Sequence, residues 1–232
     1  TTQATTLPVV SNGSILNATG TAVTFKAGIT ALGIGKVDQG AATFTANRYP
    51  NLMLWFDAND VSSMDKGLSM SDPAQPPSNN NNIGFWADKS GNEHHGSPYQ
   101  GTNNRKPKYL SAGMNSKPTV QFDGGDSLFL NNSADSFDGW DKMTVFLMAE
   151  SFDTSNWRRW MGKGTHEGAG WQLIGVNNGQ LRYRILGTGG SDDQTVSMTR
   201  AAQHLISLTF GEGTREFYSY GQQKSSIADS GS

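Results

Sequence analysis

Cysteine is absent from this 232-residue chain, which excludes disulfide scaffolds, thiolate zinc sites and cysteine nucleophiles together. Basic excess is absent too: 18 Lys and Arg stand against 20 Asp and Glu, so a nucleic-acid partner has no electrostatic footprint. No apolar run approaches the roughly 18–20 residues that cross a bilayer, so membrane insertion is not expected. The N-terminus lacks the charged-then-apolar layout of a signal peptide. Because it begins without Met, the chain reads as a mature or excised product. No window sustains a helical apolar period, so helix is expected only as a turn or two at 133–142 and 199–204.

What is present is small and neutral. Gly, Ser, Thr and Asn make up more than a third of the residues while charged residues are 16%. Six Trp and six Tyr exclude disorder. This composition points to an extracellular, cell-surface or virion-surface module. Residues 1–48 are rich in Thr, Ala and Gly, without Trp, in short alternating pieces such as Thr21–Phe25 and Ala41–Thr45. They read as a β extension or a stalk-like linker. From residue 49 to 232 the apolar alternation is stronger. It predicts strands at Leu52–Phe56, Thr119–Phe122, Met143–Met148, Trp171–Val176, Gln180–Leu186, Leu205–Phe210 and Arg215–Tyr220, with Asn177-Asn-Gly179 as a hairpin turn. Two long polar loops, 69–82 with Pro73, Pro76 and Pro77, and 91–108, interrupt the pattern. Many strands and little helix mean an all-β antiparallel sandwich or jelly roll.

Three segments carry a resemblance: Leu52-Met-Leu-Trp-Phe-Asp-Ala-Asn-Asp60, Gly84-Phe-Trp-Ala-Asp-Lys-Ser-Gly-Asn92 and Val120-Gln-Phe-Asp-Gly-Gly-Asp-Ser-Leu128. In this order the series resembles laminin G-like jelly-roll domains of the concanavalin A-like lectin/glucanase superfamily. Thr144-Val-Phe-Leu, the Gly162 to Trp171 hairpin and Phe217-Tyr-Ser-Tyr-Gly221 are similar to later parts of that family, so the resemblance covers residues 50–222. Tyr220 stands where the family usually has Asn. The resemblance implies further strands after Gly221, so the module is expected to lack its last strands. Residues 1–48, or a neighbouring subunit adding a strand at the open C-terminal edge, would then complete it.

Catalysis of the glucanase kind needs two carboxylates on one face, which on a strand means alternate positions. Glutamate occurs only at Glu93, Glu150, Glu167, Glu212 and Glu216, no two of them two apart, and Asp57/Asp60 and Asp123/Asp126 lie in turns. No Gly-x-Ser-x-Gly occurs either. No catalytic residues are assigned and an enzyme is not expected. His94 and His95, adjacent in a loop, read as solvated rather than as a chelating pair. The Asn12, Asn17 and Asn131 sequons occur about as often as chance predicts. Hard-oxygen turns suit Ca²⁺, and the resemblance implies such an ion, so Asp57, Asp60, Asp88, Asn92, Asp123 and Asp126 are its candidate ligands. The alternative for each is a hydrogen bond to its own turn.

Surface rings and hydrogen-bonding side chains suit sugars. Trp157 and Trp160 flank Arg158, Arg182 and Arg184 share one strand face, and Tyr99 lies in the long loop; these are the candidate ligand-binding residues, with Trp55, Trp86 and Trp171 assigned to packing. The expected function is non-catalytic binding or adhesion to glycan. The alternative is a structural subunit of a virion, surface layer or filament, self-assembling through residues 1–48, with a glycoside hydrolase third.

Overall fold

The computed structural model describes residues 9–10, 14–16, 22–24, 51–71, 73–98, 103–130, 142–150, 158–163, 170–176, 180–187, 190–197, 202–211 and 214–228. The chain divides into two units, Thr1–Pro50 and Asn51–Ser232. In the first, β1 (Val9–Val10), β2 (Ser14–Leu16) and β3 (Ala22–Thr24) form a small antiparallel sheet in that order. The alternating piece Thr21–Phe25 supplies β3; Ala41–Thr45 lies outside the described residues.

The second unit opens with short strands. β4 (Met64–Asp65), β5 (Phe85–Trp86) and β6 (Gly96–Ser97) pair in sequence, and β7 (Lys108–Leu110) pairs with β8 (Thr119–Gln121) before β9 (Phe129–Leu130) closes on β6. A small core of Met64, Ile83 and Tyr109, joined by Ala58, Val61, Trp86 and Val120, lies among them. Phe56 stacks on Trp86 with ring centroids 4.8 Å apart.

Longer strands follow: β10 (Met143–Glu150), β11 (Arg158–Lys163), β12 (Gly170–Val176), β13 (Gln180–Gly187), β14 (Gly190–Ser197), β15 (Gln203–Gly211), β16 (Thr214–Ser219) and β17 (Gln222–Ala228). They make two antiparallel sheets, ordered β10-β15-β16-β17 and β11-β12-β13-β14. Alternation explains why these two sheets meet. Ile206, Leu208 and Phe217 on one sheet and Leu181 and Tyr183 on the other are buried together, with Val145, Leu147, Trp160 and Val196 packed against them. Each fully buried aliphatic or aromatic side chain here contributes about 2 kcal/mol of apolar burial. The result is a β-sandwich whose core is the inner faces of both sheets.

Three sequence expectations change. Leu52–Phe56 forms no strand, for a reason given below. The polar stretches Gly190–Ser197 and Gln222–Ala228, not expected as strands, are β14 and β17, each at one edge of its sheet. The helical turn expected at 199–204 is overruled where it is described, since Gln203 and His204 belong to β15; residues 133–141 and 199–201 lie outside the described residues.

Tyr220 and Gly221 link β16 to β17 between the paired Ser219 and Gln222. Both have positive φ, +50° and +72°, the requirement of the type I′ hairpin turn, in which Asn is favoured at the first position. Tyr carries a Cβ penalty there of about 1 kcal/mol. Its hydroxyl donates to the Gln203 carbonyl and its ring is more than half exposed. Tyr220→Asn is therefore expected to raise the melting temperature by about 2–4 °C in calorimetry; a fall would show that the ring and hydroxyl contacts outweigh the backbone strain.

Candidate functional site

Two places gather the chemically capable side chains of the second unit. The first is the Asp88–Asn92 turn and the segment it holds. Asp88 is buried, and its carboxylate accepts four hydrogen bonds. Oδ1 takes the Trp55 N–H at 2.9 Å and the Ser90 N–H at 2.8 Å; Oδ2 takes the Ser90 hydroxyl at 2.7 Å and the His94 N–H at 3.2 Å. Asn92 Nδ2 donates to the Leu52 carbonyl at 2.8 Å, and the Lys89 N–H donates to the Trp55 carbonyl at 2.9 Å. These bonds explain the missing strand at Leu52–Phe56: its backbone groups are satisfied by the turn rather than by a neighbouring ladder.

Lys89 extends from this turn over the Trp55 ring, 4.4 Å from its centroid, and its ammonium lies 3.2 Å from Asp57 and 2.7 Å from Asp60. Hydrogen bonds from Lys89 and then Ser62 hold the Asp60 carboxyl below its ordinary range. Burial acts to lower the Lys89 pKa, but the two carboxylates outweigh it and raise it overall. Asp57 also accepts the Asn59 N–H at 3.0 Å. The cation held between Asp57 and Asp60 in this arrangement is thus the chain's own lysine.

Asp123 and Asp126 lie apart from that group, in the turn after β8. Asp126 Oδ2 accepts the Asp123 N–H and Asp123 Oδ1 accepts the Gly125 N–H. Burial, and then the neighbouring Asp123 charge, push the Asp126 carboxyl up, while the Gly125 N–H holds Asp123 down. The six residues singled out for Ca²⁺ therefore fall in three turns, two of them joined through Lys89 and the third apart. Among the described residues no group of three or more His, Asp or Glu side chains is arranged to hold a metal ion.

The histidines differ from expectation. His94 is buried rather than solvated, its N–H bound to Asp88, because the turn folds back over it. His95 Nδ1 accepts the Asp88 N–H at 3.1 Å and its ring tilts against Phe85. They serve one turn in two different ways.

The second place is the outer face of the β11–β14 sheet. Cross-strand register sets Arg159, Ile174, Arg182 and Thr195 in one row and Gly162, Gln172, Arg184 and Asp193 in the next. Directly paired residues share a face, and this one is opposite the buried Leu181 and Tyr183. Arg182 and Arg184 occupy alternate positions of β13. Arg159 joins them across β12 and was not singled out, because an irregularity between Arg159 and Met161 breaks the two-residue count along β11. Arg158, paired with Gly175, sits one register step away. Trp160, expected as a sugar platform, instead packs against the sandwich core, since both it and Met161 fall on the inner side of the irregularity. Trp157 and Tyr99 lie outside the described residues.

A second buried carboxylate, not expected from the sequence, lies elsewhere. Asp65, at the end of β4, is wholly buried and gathers the N–H groups of Gly67, Ser71 and Gln75 and the Ser71 hydroxyl. The only signal was a polar loop in which Pro73, Pro76 and Pro77 have no N–H, leaving the remaining donors to converge on one acceptor.

No family model, no curated protein and no solved structure matches the chain.

Proposed function

We propose that the chain is a non-catalytic binding module of the laminin G-like jelly-roll kind, displayed outside the cell or on a particle, and that it recognises glycan through the outer face of the β11–β14 sheet. One observation carries this reading: the register sets Arg159, Gln180, Arg182, Thr195 and Ser197, all able to bond sugar hydroxyls, on one face with Ile174 and Val176 of β12. The interlock between Leu52–Trp55 and Asp88–Asn92 supports the laminin G-like part, because it accounts for why those two motifs occur together. Paired carboxylates for glycoside hydrolysis have no place in this scheme, and hydrolysis stays the third reading.

The test is a glycan array probed with the full chain. Binding is expected, and it should be lost when Arg159 and Arg182 are both replaced by Ala. Absence of any glycan binding by folded protein would overturn the reading.

A second reading has its own observation. The outer face of the other sheet exposes Phe146, Met148 and Leu205, and Tyr220 beside them, each more than 40% accessible. A contiguous apolar patch of this kind favours a protein contact, as in a structural subunit. Elution of the 25.0 kDa chain as an ordered multimer, dispersed by Phe146→Asp, would favour that alternative.

A further inference from the structure

We propose that the chain forms a closed two-fold dimer by pairing β10 with β10 of a second copy, antiparallel and centred on Phe146, which joins their two β10-β15-β16-β17 sheets into one. The inference stands apart from glycan binding, and it differs from an open assembly in ending at two copies.

The two sheets of the sandwich end in four edge strands, β10, β17, β11 and β14. An edge strand presents a row of backbone donors and acceptors that templates a further strand unless a charge within it, a proline or a bulge guards it. Three of the four carry such a guard. β11 has its irregularity between Arg159 and Met161, β17 has one opposite Phe217 and Tyr218 together with Lys224, and β14 contains Asp192 and Asp193. β10 has none: its sequence Met-Thr-Val-Phe-Leu-Met-Ala-Glu holds no proline and no charge before its last residue. It pairs with β15 without a shift from Met143↔Phe210 to Glu150↔Gln203, and among the described residues β15 is its one strand neighbour. Phe146 and Met148 are about half exposed along it, and Leu205, opposite Met148, extends the apolar surface.

Charge complementarity identifies the occupant. Lys142, Thr144, Phe146, Met148 and Glu150 alternate along one face, with Lys142 just before the strand and Glu150 at its end. Directly opposed residues of an antiparallel pair share a face, so a two-fold axis that keeps the outer faces together passes through a residue of β10 rather than between two. With the axis at Phe146, Lys142 of each copy lies opposite Glu150 of the other, Thr144 opposite Met148, and on the inner side Val145 opposite Leu147. An axis at Val145 sets Lys142 against Met148, and one at Leu147 sets Glu150 against Thr144; either loses both charge pairs. The strand and the lysine before it are thus complementary to their own reverse, as a self-paired two-fold contact requires. The alternating pieces of residues 1–48, Thr21–Phe25 and Ala41–Thr45, carry no charge to meet Lys142 and Glu150 and fit this edge less well.

Sedimentation velocity on the full chain over a concentration series is expected to show a species of twice the 25.0 kDa chain mass and nothing larger. Lys142→Glu and Glu150→Lys each set like charges opposite one another at both ends of the ladder, and each should raise the dimer dissociation constant about tenfold. Combined in one chain, the swap should restore the constant to within about threefold. An equal mixture of the two single variants should form heterodimers, because each end then regains an opposite pair; a residue needed only for its own fold would not give this rescue. Circular dichroism shows that each variant is folded. A second measurement covers a charge variant that is not. The chain has no cysteine, so under mild oxidation Phe146→Cys, opposite itself on the axis, should link into a covalent dimer, while Thr144→Cys, about 13 Å from its own copy, should not. Monomer at every concentration, growth past two copies, a dimer indifferent to both charge reversals, or linkage as complete in Thr144→Cys as in Phe146→Cys would each overturn the inference, whatever the glycan array shows.

Discussion

Replacing Asp65 by Ala lowers the unfolding free energy by about 3–4 kcal/mol in denaturant titration. The carboxylate is fully buried and accepts from three backbone N–H groups and one hydroxyl, at 2.6 Å from Gly67, 2.9 Å from Gln75 and 3.2 Å from Ser71. Removing it leaves those donors without an acceptor, at about 1–3 kcal/mol for each that stays buried, and opening the loop to water recovers part of that cost. Burial by itself raises the carboxyl pKa, but the four hydrogen bonds outweigh it and bring the value down from 3.8 to about 2. A folded-state pKa below the unfolded one adds stability above the unfolded value and loses it as pH falls. At about 1.4 kcal/mol per pH unit, Asp65 contributes about 2 kcal/mol above pH 4, and that is lost between about pH 4 and pH 2. Asp65→Asn, which keeps one acceptor oxygen and cannot titrate, should flatten the profile in that window. Parallel wild-type and Asn curves from pH 5 to 2 would refute the account.

The second large effect comes from Gly84, whose N–H donates to the Asp65 carbonyl at 2.9 Å. A methyl group here would sit 2.1 Å from the Gly67 carbonyl oxygen, 2.6 Å from that of Lys66 and 2.7 Å from the Gly67 carbonyl carbon. All three are backbone atoms, so no rotamer change relieves the clash, and the Lys66–Gly67 segment must move. That segment carries the first donor to Asp65. Gly84→Ala is expected to cost about 3 kcal/mol or more, the upper end for overpacking, read as a drop in denaturation midpoint. In the Asp65→Ala background the loop is already loosened, so the same substitution should cost at least about 1 kcal/mol less. Strict additivity would show that the glycine and the carboxylate act on separate structures.

Much of the sandwich was legible because its apolar strands each bury one face. Met143–Met148, Trp171–Val176, Gln180–Leu186, Leu205–Phe210 and Arg215–Tyr220 alternate, and all lie in or overlap strands β10, β12, β13, β15 and β16. Strands β14 and β17 were not legible, since Gly190–Ser197 and Gln222–Ala228 are mostly polar and leave no apolar period to read. Leu52–Phe56 shows the converse failure: it alternates, yet its backbone is bonded by Asp88, Lys89 and Asn92 from a turn more than thirty residues on. The candidate sites divide the same way. Arg182 and Arg184 could be set on one face by counting along a strand, whereas Arg159 depended on a register across β12 and on the irregularity at Trp160.

By itself the sequence determined the class: no thiol chemistry, no basic footprint, and strands written in alternating apolar positions, which are local properties of composition and period. Tertiary structure decided what the polar residues do. Asp and Asn in a turn suit a metal ion and a ring of N–H donors equally well, because both need oxygen lone pairs at the same distances along the chain. In the structure Lys89 approaches Asp57 and Asp60, and four donors approach Asp88. Such approaches join residues far apart in sequence, which no local pattern records.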